Sequence, residues 1–288
     1  MEDHWGRERL AESILAALAA AGHDRGPLTI DDLAVTDEFH GGGKAATVRL
    51  ATLLGARPGL RVLDVGGGLG GPARTLAVEF GCHVTVVDLT ESYVQAARML
   101  TTRLALDHRV RHHVGNALDL PFHDGAFDVV WTQNSGMNIA DKDALYRGFH
   151  RVLRSGGLLA LQEPMAGPLQ PPVFPVMWAR DASTSFLRTP AEMRGLIARA
   201  GFRERAWDDV TAETAGPASA DAIPAHSAQR LIMGEALDEI IRANHRNRTE
   251  GRLVLVQAVF ERGSVHVSSG GYVPAGAPRG GTGTRAPA

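Results

Sequence analysis

Residues 62–71, Val-Leu-Asp-Val-Gly-Gly-Gly-Leu-Gly-Gly, constrain the fold more than any other stretch. Val62, Leu63 and Val65 surround Asp64, and glycines then occupy Gly66, Gly68 and Gly70. An apolar run that stops at a glycine cluster reads as a buried strand handing over to a helix. Glycine serves where the backbone turns with positive φ, or where a ligand lies against bare main chain. In open α/β sheets, ligands bind in the crevice outside the carboxyl ends of the strands. The segment therefore predicts a nucleoside-type cofactor across a glycine loop.

The loop alone does not name that cofactor. Gly66, Gly68 and Gly71 also satisfy the G-x-G-x-x-G dinucleotide pattern, a weak signal by itself. Asp88 adds to it. The run His83-Val84-Thr85-Val86-Val87-Asp88 reads as a second strand ending in a carboxylate able to accept from both hydroxyls of a ribose. Asp88 can equally cap the helix that starts near Thr90, and the two roles are compatible. Against a dinucleotide stand the 61 residues before the loop and the spacing Asp-x-Gly-x-Gly-x-Gly from Asp64.

Downstream come Val114-Gly115-Asn116-Ala117-Leu118-Asp119-Leu120-Pro121-Phe122, then Phe127-Asp128-Val129-Val130-Trp131, then Arg151-Val152-Leu153-Arg154-Ser155-Gly156-Gly157. With these in place, residues 37–210 resemble the class I S-adenosylmethionine-dependent methyltransferases. Asp37-Glu38-Phe39-His40-Gly41-Gly42-Gly43-Lys44-Ala45-Ala46-Thr47 is similar to the Gly-Gly-x-x-x-Thr segment of the small-molecule members. Among these, the chain resembles the sarcosine/dimethylglycine and phosphoethanolamine N-methyltransferases and natural-product methyltransferases. The quinone C-methyltransferases are more distant.

The resemblance implies a Rossmann-like α/β fold: a seven-stranded, mostly parallel sheet with helices on both faces. Alternating strands and helices independently imply a mainly parallel sheet. Strands are expected near 61–65, 83–88, 110–114, 127–132, 157–162, 203–209 and 253–260. By resemblance the last inserts antiparallel between its neighbours. Core helices are expected near 71–80, 91–104, 141–153 and 226–244, and another opens at Thr189-Pro190, where proline suits the first helical turn. Residues 1–56 read as an N-terminal helical cap, with Leu10, Ile14, Leu15 and Leu18 at helical spacing and a second helix over 45–54. Residues 57–262 read as the catalytic domain. Within it, 164–188 carries five prolines with Phe174, Met177, Trp178 and Phe186, and reads as a lid insert after strand 5. Residues 263–288, rich in Gly, Ser, Pro and Ala, read as a disordered tail, because they offer too little apolar surface to offset ordering entropy.

Composition excludes several classes. Lys plus Arg number 30 against 32 Asp plus Glu, a balance with no footprint for nucleic acid. A single cysteine, Cys82, permits no intrachain disulfide. No apolar run reaches a membrane span, and the start shows no signal peptide, so a cytoplasmic protein is expected. His112 and His113 are adjacent on a strand and point to opposite faces, and no cluster shows metal-ligand spacing; no metal is expected.

The resemblance assigns cofactor contacts at the strand ends. Gly43 and Thr47 belong to the segment that closes over the methionine end; Asp64 orients the loop and reaches the methionine amine through water. Gly66 and Gly68 offer bare backbone, Asp88 takes the ribose, and Leu89 packs on the adenine. Asn116 and Ala117 stand where the family has Asp-Ala, and asparagine keeps an acceptor oxygen. Gln133 contacts the methionine moiety. On the acceptor side the chain departs from its relatives. Amine methyltransferases often carry Asp-x-x-x-His after the fourth strand; the aligned residues here are Asn134 and Asn138. That argues against a sarcosine-like or phosphoethanolamine-like acceptor. Asn134, Met137, Asn138, Phe174 and Trp178 are the expected acceptor-binding residues. Glu163 and His40 are the expected base or orienting groups. Glu163 could instead cap the rim, and His40 could be a local hydrogen-bond partner.

The expected activity is therefore transfer of a methyl from S-adenosylmethionine to C, N or O of a small apolar or aromatic metabolite, in specialised metabolism. The expected partner is that small-molecule acceptor, and a homodimer is compatible with the reading. The alternatives are an NAD-dependent oxidoreductase and a cofactor-binding protein without turnover.

Overall fold

The computed structural model describes residues 10–23, 28–216 and 219–263. Of the tail expected over 263–288, Gly263 is described and donates its N–H to the Gly201 carbonyl (2.9 Å), and residues 264–288 lie outside the described residues. Seven strands form one sheet: β1 Arg61–Val65, β2 His83–Asp88, β3 Val110–Val114, β4 Phe127–Gln133, β5 Leu153–Ala166, β6 Phe202–Asp209 and β7 Leu253–Arg262. Their order is β3-β2-β1-β4-β5-β7-β6, with β1 to β5 parallel and β7 antiparallel to both neighbours. The strand order changes direction between β1 and β4, so the carboxyl ends of these two strands open a crevice there. In register, Asp64 at the end of β1 sits between Val86 of β2 and Trp131 of β4.

The helices are α1 Leu10–Ala20, α2 Ile30–Asp37, α3 Gly43–Leu54, α4 Gly71–Glu79, α5 Glu91–Arg103, α6 Lys142–Val152, α7 Pro190–Arg199, α8 Ala228–Met233 and α9 Leu237–Thr249. The central strands are apolar on both faces because both are covered. One face packs Leu63, Val65, Val130 and Leu161 against Tyr146 and Phe149 of α6. The other packs Val62, Val84, Val86 and Trp131 against Leu50 and Ala51 of α3 and Leu76 of α4. A third cluster joins Leu10, Ile14 and Leu18 of α1 to Tyr93 and Leu100 of α5 and to Leu237 and Ile240 of α9. The N-terminal cap is thus completed by C-terminal helices.

Three elements differ from the sequence expectation. β5 extends through Pro164 to Ala166, because β7 pairs with it from Leu158 to Ala166. Its pairing with β4 ends at Gln162, so Pro164 lies where β5 borders β7 alone, and an edge position tolerates a missing N–H. The helix expected over 226–244 is two helices, broken at Gly234 in the left-handed region (φ 54°). Its second part continues through the polar run to Thr249, where Asn247 is buried and exchanges two hydrogen bonds with the Val173 backbone (2.7 and 2.8 Å). The insert after β5 is a packed wall: Val176, Trp178 and Ala179 are buried with Met137 and Leu253.

Candidate active site

The crevice at the carboxyl edge is a cavity of about 470 Å³. The glycine loop forms its floor. Gly66 has φ 75°, and a Cβ there would run into the Ser135 side chain, so the position accepts only glycine. Gly68 (φ 52°) is different: a Cβ there would meet nothing nearer than Tyr93 at 3.9 Å, so this backbone faces open space. Asp88 secures the loop. One carboxylate oxygen accepts the Gly68 N–H (2.9 Å) and the other accepts the Thr90 N–H at the start of α5 (2.8 Å). Thr90 itself is the N-cap of α5, so Asp88 does not cap the helix; it forms the turn before it and lies on the cavity wall.

Two polar atoms in this wall are buried without a partner among the described residues: Asp64 Oδ2 and Gln133 Nε2. One is an acceptor that can carry charge, the other a donor. Leaving either unsatisfied costs about 1–3 kcal/mol, so both call for a ligand. Burial, with Asp88 and Glu38 nearby, pushes the Asp64 carboxyl up to about 8. An ammonium at Asp64 and a carboxylate at Gln133 would satisfy both atoms, which fits the amino-acid end of S-adenosylmethionine. Leu89, Asn116 and Ala117 line the same cavity. Asn116 Oδ1 accepts the Leu118 N–H (2.9 Å) and keeps one further lone pair.

The structure thus brings Asp64, Gly66, Gly68, Asp88, Leu89, Asn116, Ala117 and Gln133 to one cavity, with His40, Asn134 and Asn138. Thr47 stands behind the wall, its hydroxyl donating to Glu38 Oε2 (2.8 Å) and lying 3.2 Å from Gln133 Oε1. Gly43 lines a second cavity, of about 660 Å³, together with Met177, Trp178, Leu253 and Leu255. Phe39, His40 and Asn134 line both cavities.

Other expected acceptor residues fall elsewhere. Phe174 packs on the cluster of Val176, Trp178 and Leu253 and lines neither large cavity, and Met137 is buried in that same cluster. Asn138 spends its amide on the Trp178 and Thr184 carbonyls (2.9 and 2.8 Å), tying the insert to the turn after β4. Glu163, expected as a base, faces neither large cavity. It turns into the Ser135–Met137 turn and accepts the Gly136 N–H (2.7 Å). Burial pushes Glu163 up to about 7, against the pull of Lys142.

The His40 side chain is buried, with Nε2 2.9 Å from Glu38 Oε2 and 3.1 Å from Thr47 Oγ1. Sequence reasoning did not single out Glu38. Its carboxylate also accepts from Thr75 (2.9 Å); burial raises its pKa, but the bonds and charge from His40, Thr47 and Thr75 outweigh this and hold it below its ordinary value. The available signal was an acid two residues before a histidine beside a glycine run. Asp37 is a second such residue, on the cavity wall and paired with buried Arg74 (2.7 Å).

Among the described residues no group of three or more His, Cys, Asp or Glu could hold a metal ion. No helix among them is long and apolar enough to cross a membrane.

Residues 63–161 match the methyltransferase domain family. The glycine/sarcosine/dimethylglycine N-methyltransferase of Actinopolyspora halophila is 40% identical over 118 residues, 41% of this chain and 21% of that protein. The sarcosine/dimethylglycine N-methyltransferase of Halorhodospira halochloris is 33% identical over 156 residues, 54% of this chain and 55% of that protein. The chain therefore spans about half or less of the length of these curated relatives. A phosphoethanolamine N-methyltransferase structure from Haemonchus contortus superposes with TM-score 0.68 at 20% identity, covering 84% of this chain and 60% of that one. These matches leave the NAD oxidoreductase alternative without support. Residues 63–161 thus carry a methyltransferase domain, and the strand order and the cleft agree with the fold of the small-molecule S-adenosylmethionine-dependent methyltransferases that the chain resembles.

Proposed function

We propose that this chain methylates a small, largely apolar metabolite held in the second cavity, with S-adenosylmethionine in the first. The observation that carries the reading is that Phe39, His40 and Asn134 line both cavities, so two ligands would meet at these residues. Apolar side chains of the second cavity, Phe39, Met177, Trp178, Ile241, Leu253 and Leu255, suit an aromatic or aliphatic body. Specialised metabolism is the setting we favour.

Asp64 and Gln133 would hold the amino-acid end, Asp88 the ribose, and Leu89, Asn116 and Ala117 the adenine. When bound, the cofactor supplies a methyl already activated by the sulfonium. The chain's own contribution is then alignment, which can supply several kcal/mol, up to about 7–11 in the best cases. Glu38 fixes the His40 ring, and His40 would orient the acceptor and take its proton where the nucleophile is protonated. With Glu163 turned into the β4–α6 turn, His40 is the base we favour.

His40→Gln is expected to lower the single-turnover rate about 10²-fold or more, within the range of general-base contributions. S-adenosylhomocysteine affinity should stay within about twofold. An unchanged rate would remove His40 from the reaction, and absence of any labelled methyl product would overturn the proposed activity.

A further inference from the structure

We propose that the methyl acceptor is an acid, its carboxylate or phosphate held by Arg248 at the end of the second cavity away from the cofactor. This rests on the proposed function and specifies its substrate class. Arg248, on α9, lines the second cavity and does not line the first, whereas His40 and Asn134 line both. Its guanidinium is half-buried and has no carboxylate partner among the described residues. Its bonds are to the Thr214 and Gly216 carbonyls at 3.4 and 3.5 Å, the long end of the hydrogen-bond range.

The other charges of this cavity are neutralised. Lys44 pairs with Asp31 and Glu79, Glu213 pairs with Arg49 (3.2 Å), and Glu38 is bonded to His40. Arg248 is the exception, and burial holds its pKa below the usual guanidinium value with no opposing charge. A partly desolvated cation is costly unless paired, and a guanidinium matches a carboxylate or phosphate with two parallel bonds. Asn244, one helical turn before it, lines the same cavity and adds an amide beside the anion. The apolar wall of Trp178, Met177 and Leu255 then accommodates the body of the molecule.

The test incubates the protein with methyl-labelled S-adenosylmethionine and a metabolite extract split by anion exchange into retained and unretained fractions. Label is expected in a product from the retained fraction, and its mass distinguishes carboxylate from phosphate. With that acceptor purified, Arg248→Gln should raise KM at least tenfold, with kcat within about threefold and S-adenosylhomocysteine Kd within about twofold. Arg248→Lys, which keeps the charge, should raise KM less. If the glutamine variant also loses S-adenosylhomocysteine binding, the lysine variant carries the comparison, and a KM equal to wild type there overturns the role. Label only in the unretained fraction, or an unchanged KM in Arg248→Gln, overturns the acid while leaving methyl transfer standing. No labelled product from either fraction overturns the proposed function itself, and this inference with it.

Discussion

Asp64→Asn is expected to move stability and ligand affinity in opposite directions. The Asp64 carboxyl is buried at the end of β1, one oxygen is unpartnered, and its pKa is pushed from 3.8 up to about 8. A folded-state pKa above the unfolded one means that the fold binds the extra proton. Its contribution is therefore complete below about pH 4 and is lost as pH rises through about 8. At about 1.4 kcal/mol per pKa unit, this burial makes the free protein less stable by up to about 4 kcal/mol at pH 7. Asparagine removes the ionisation but leaves a buried amide, so a gain of about 1–3 kcal/mol is expected, larger at pH 8 than at pH 5. Affinity for S-adenosylhomocysteine should fall, because the ligand ammonium loses a charged acceptor worth about 1.5–3 kcal/mol, or about 10- to 150-fold in Kd. In the wild type, binding should release protons at pH 7, seen as a dependence of calorimetric heat on buffer ionisation enthalpy. A variant that melts lower and binds as tightly as the wild type would refute the reasoning.

Gly66→Ala should cost about 2–3 kcal/mol in denaturant unfolding, combining positive φ with overlap on Ser135; a loss under 1 kcal/mol would contradict the packing. Gly68→Ala should cost only about 1 kcal/mol of stability, its main effect falling on S-adenosylhomocysteine affinity, since its Cβ enters open space in the cleft. Glu163→Gln should leave the transfer rate within about twofold and flatten the melting temperature between pH 4.5 and 7. In the wild type, this carboxyl's raised pKa of about 7 makes stability fall as pH rises through that window. A large rate loss with unchanged pH dependence would restore Glu163 as a base.

That Asp64, Gly66, Gly68 and Asp88 line one cleft was largely legible because the parts of the cleft are local. A strand, a glycine turn and a carboxylate at the next strand end are each specified by a few adjacent residues, and parallel packing brings those ends together. What stayed hidden depends on contacts distant in sequence. Glu163 sits at a strand end as its motif position implies, but its direction is set by the Gly136 N–H, which binds it across the turn after β4. Glu38 reads as one of several surface charges until Thr75 and Thr47 close over it. Phe174 and Trp178 are near neighbours in an aromatic insert, and only the path of that irregular segment decides which reaches the second cavity. The second cavity itself is built from α2, α9, β7 and the segment after β6, and no single motif announces it.

The central claim is that the glycine cleft takes a sulfonium nucleoside. Calorimetric titration of the wild-type protein with S-adenosylhomocysteine, and separately with NAD, tests it most directly. The account predicts saturable one-to-one binding of S-adenosylhomocysteine that weakens about 10-fold or more in Asp88→Ala, which removes a charged hydrogen-bond acceptor, and no binding of NAD. Tight NAD binding, or S-adenosylhomocysteine affinity unchanged in Asp88→Ala, would contradict it.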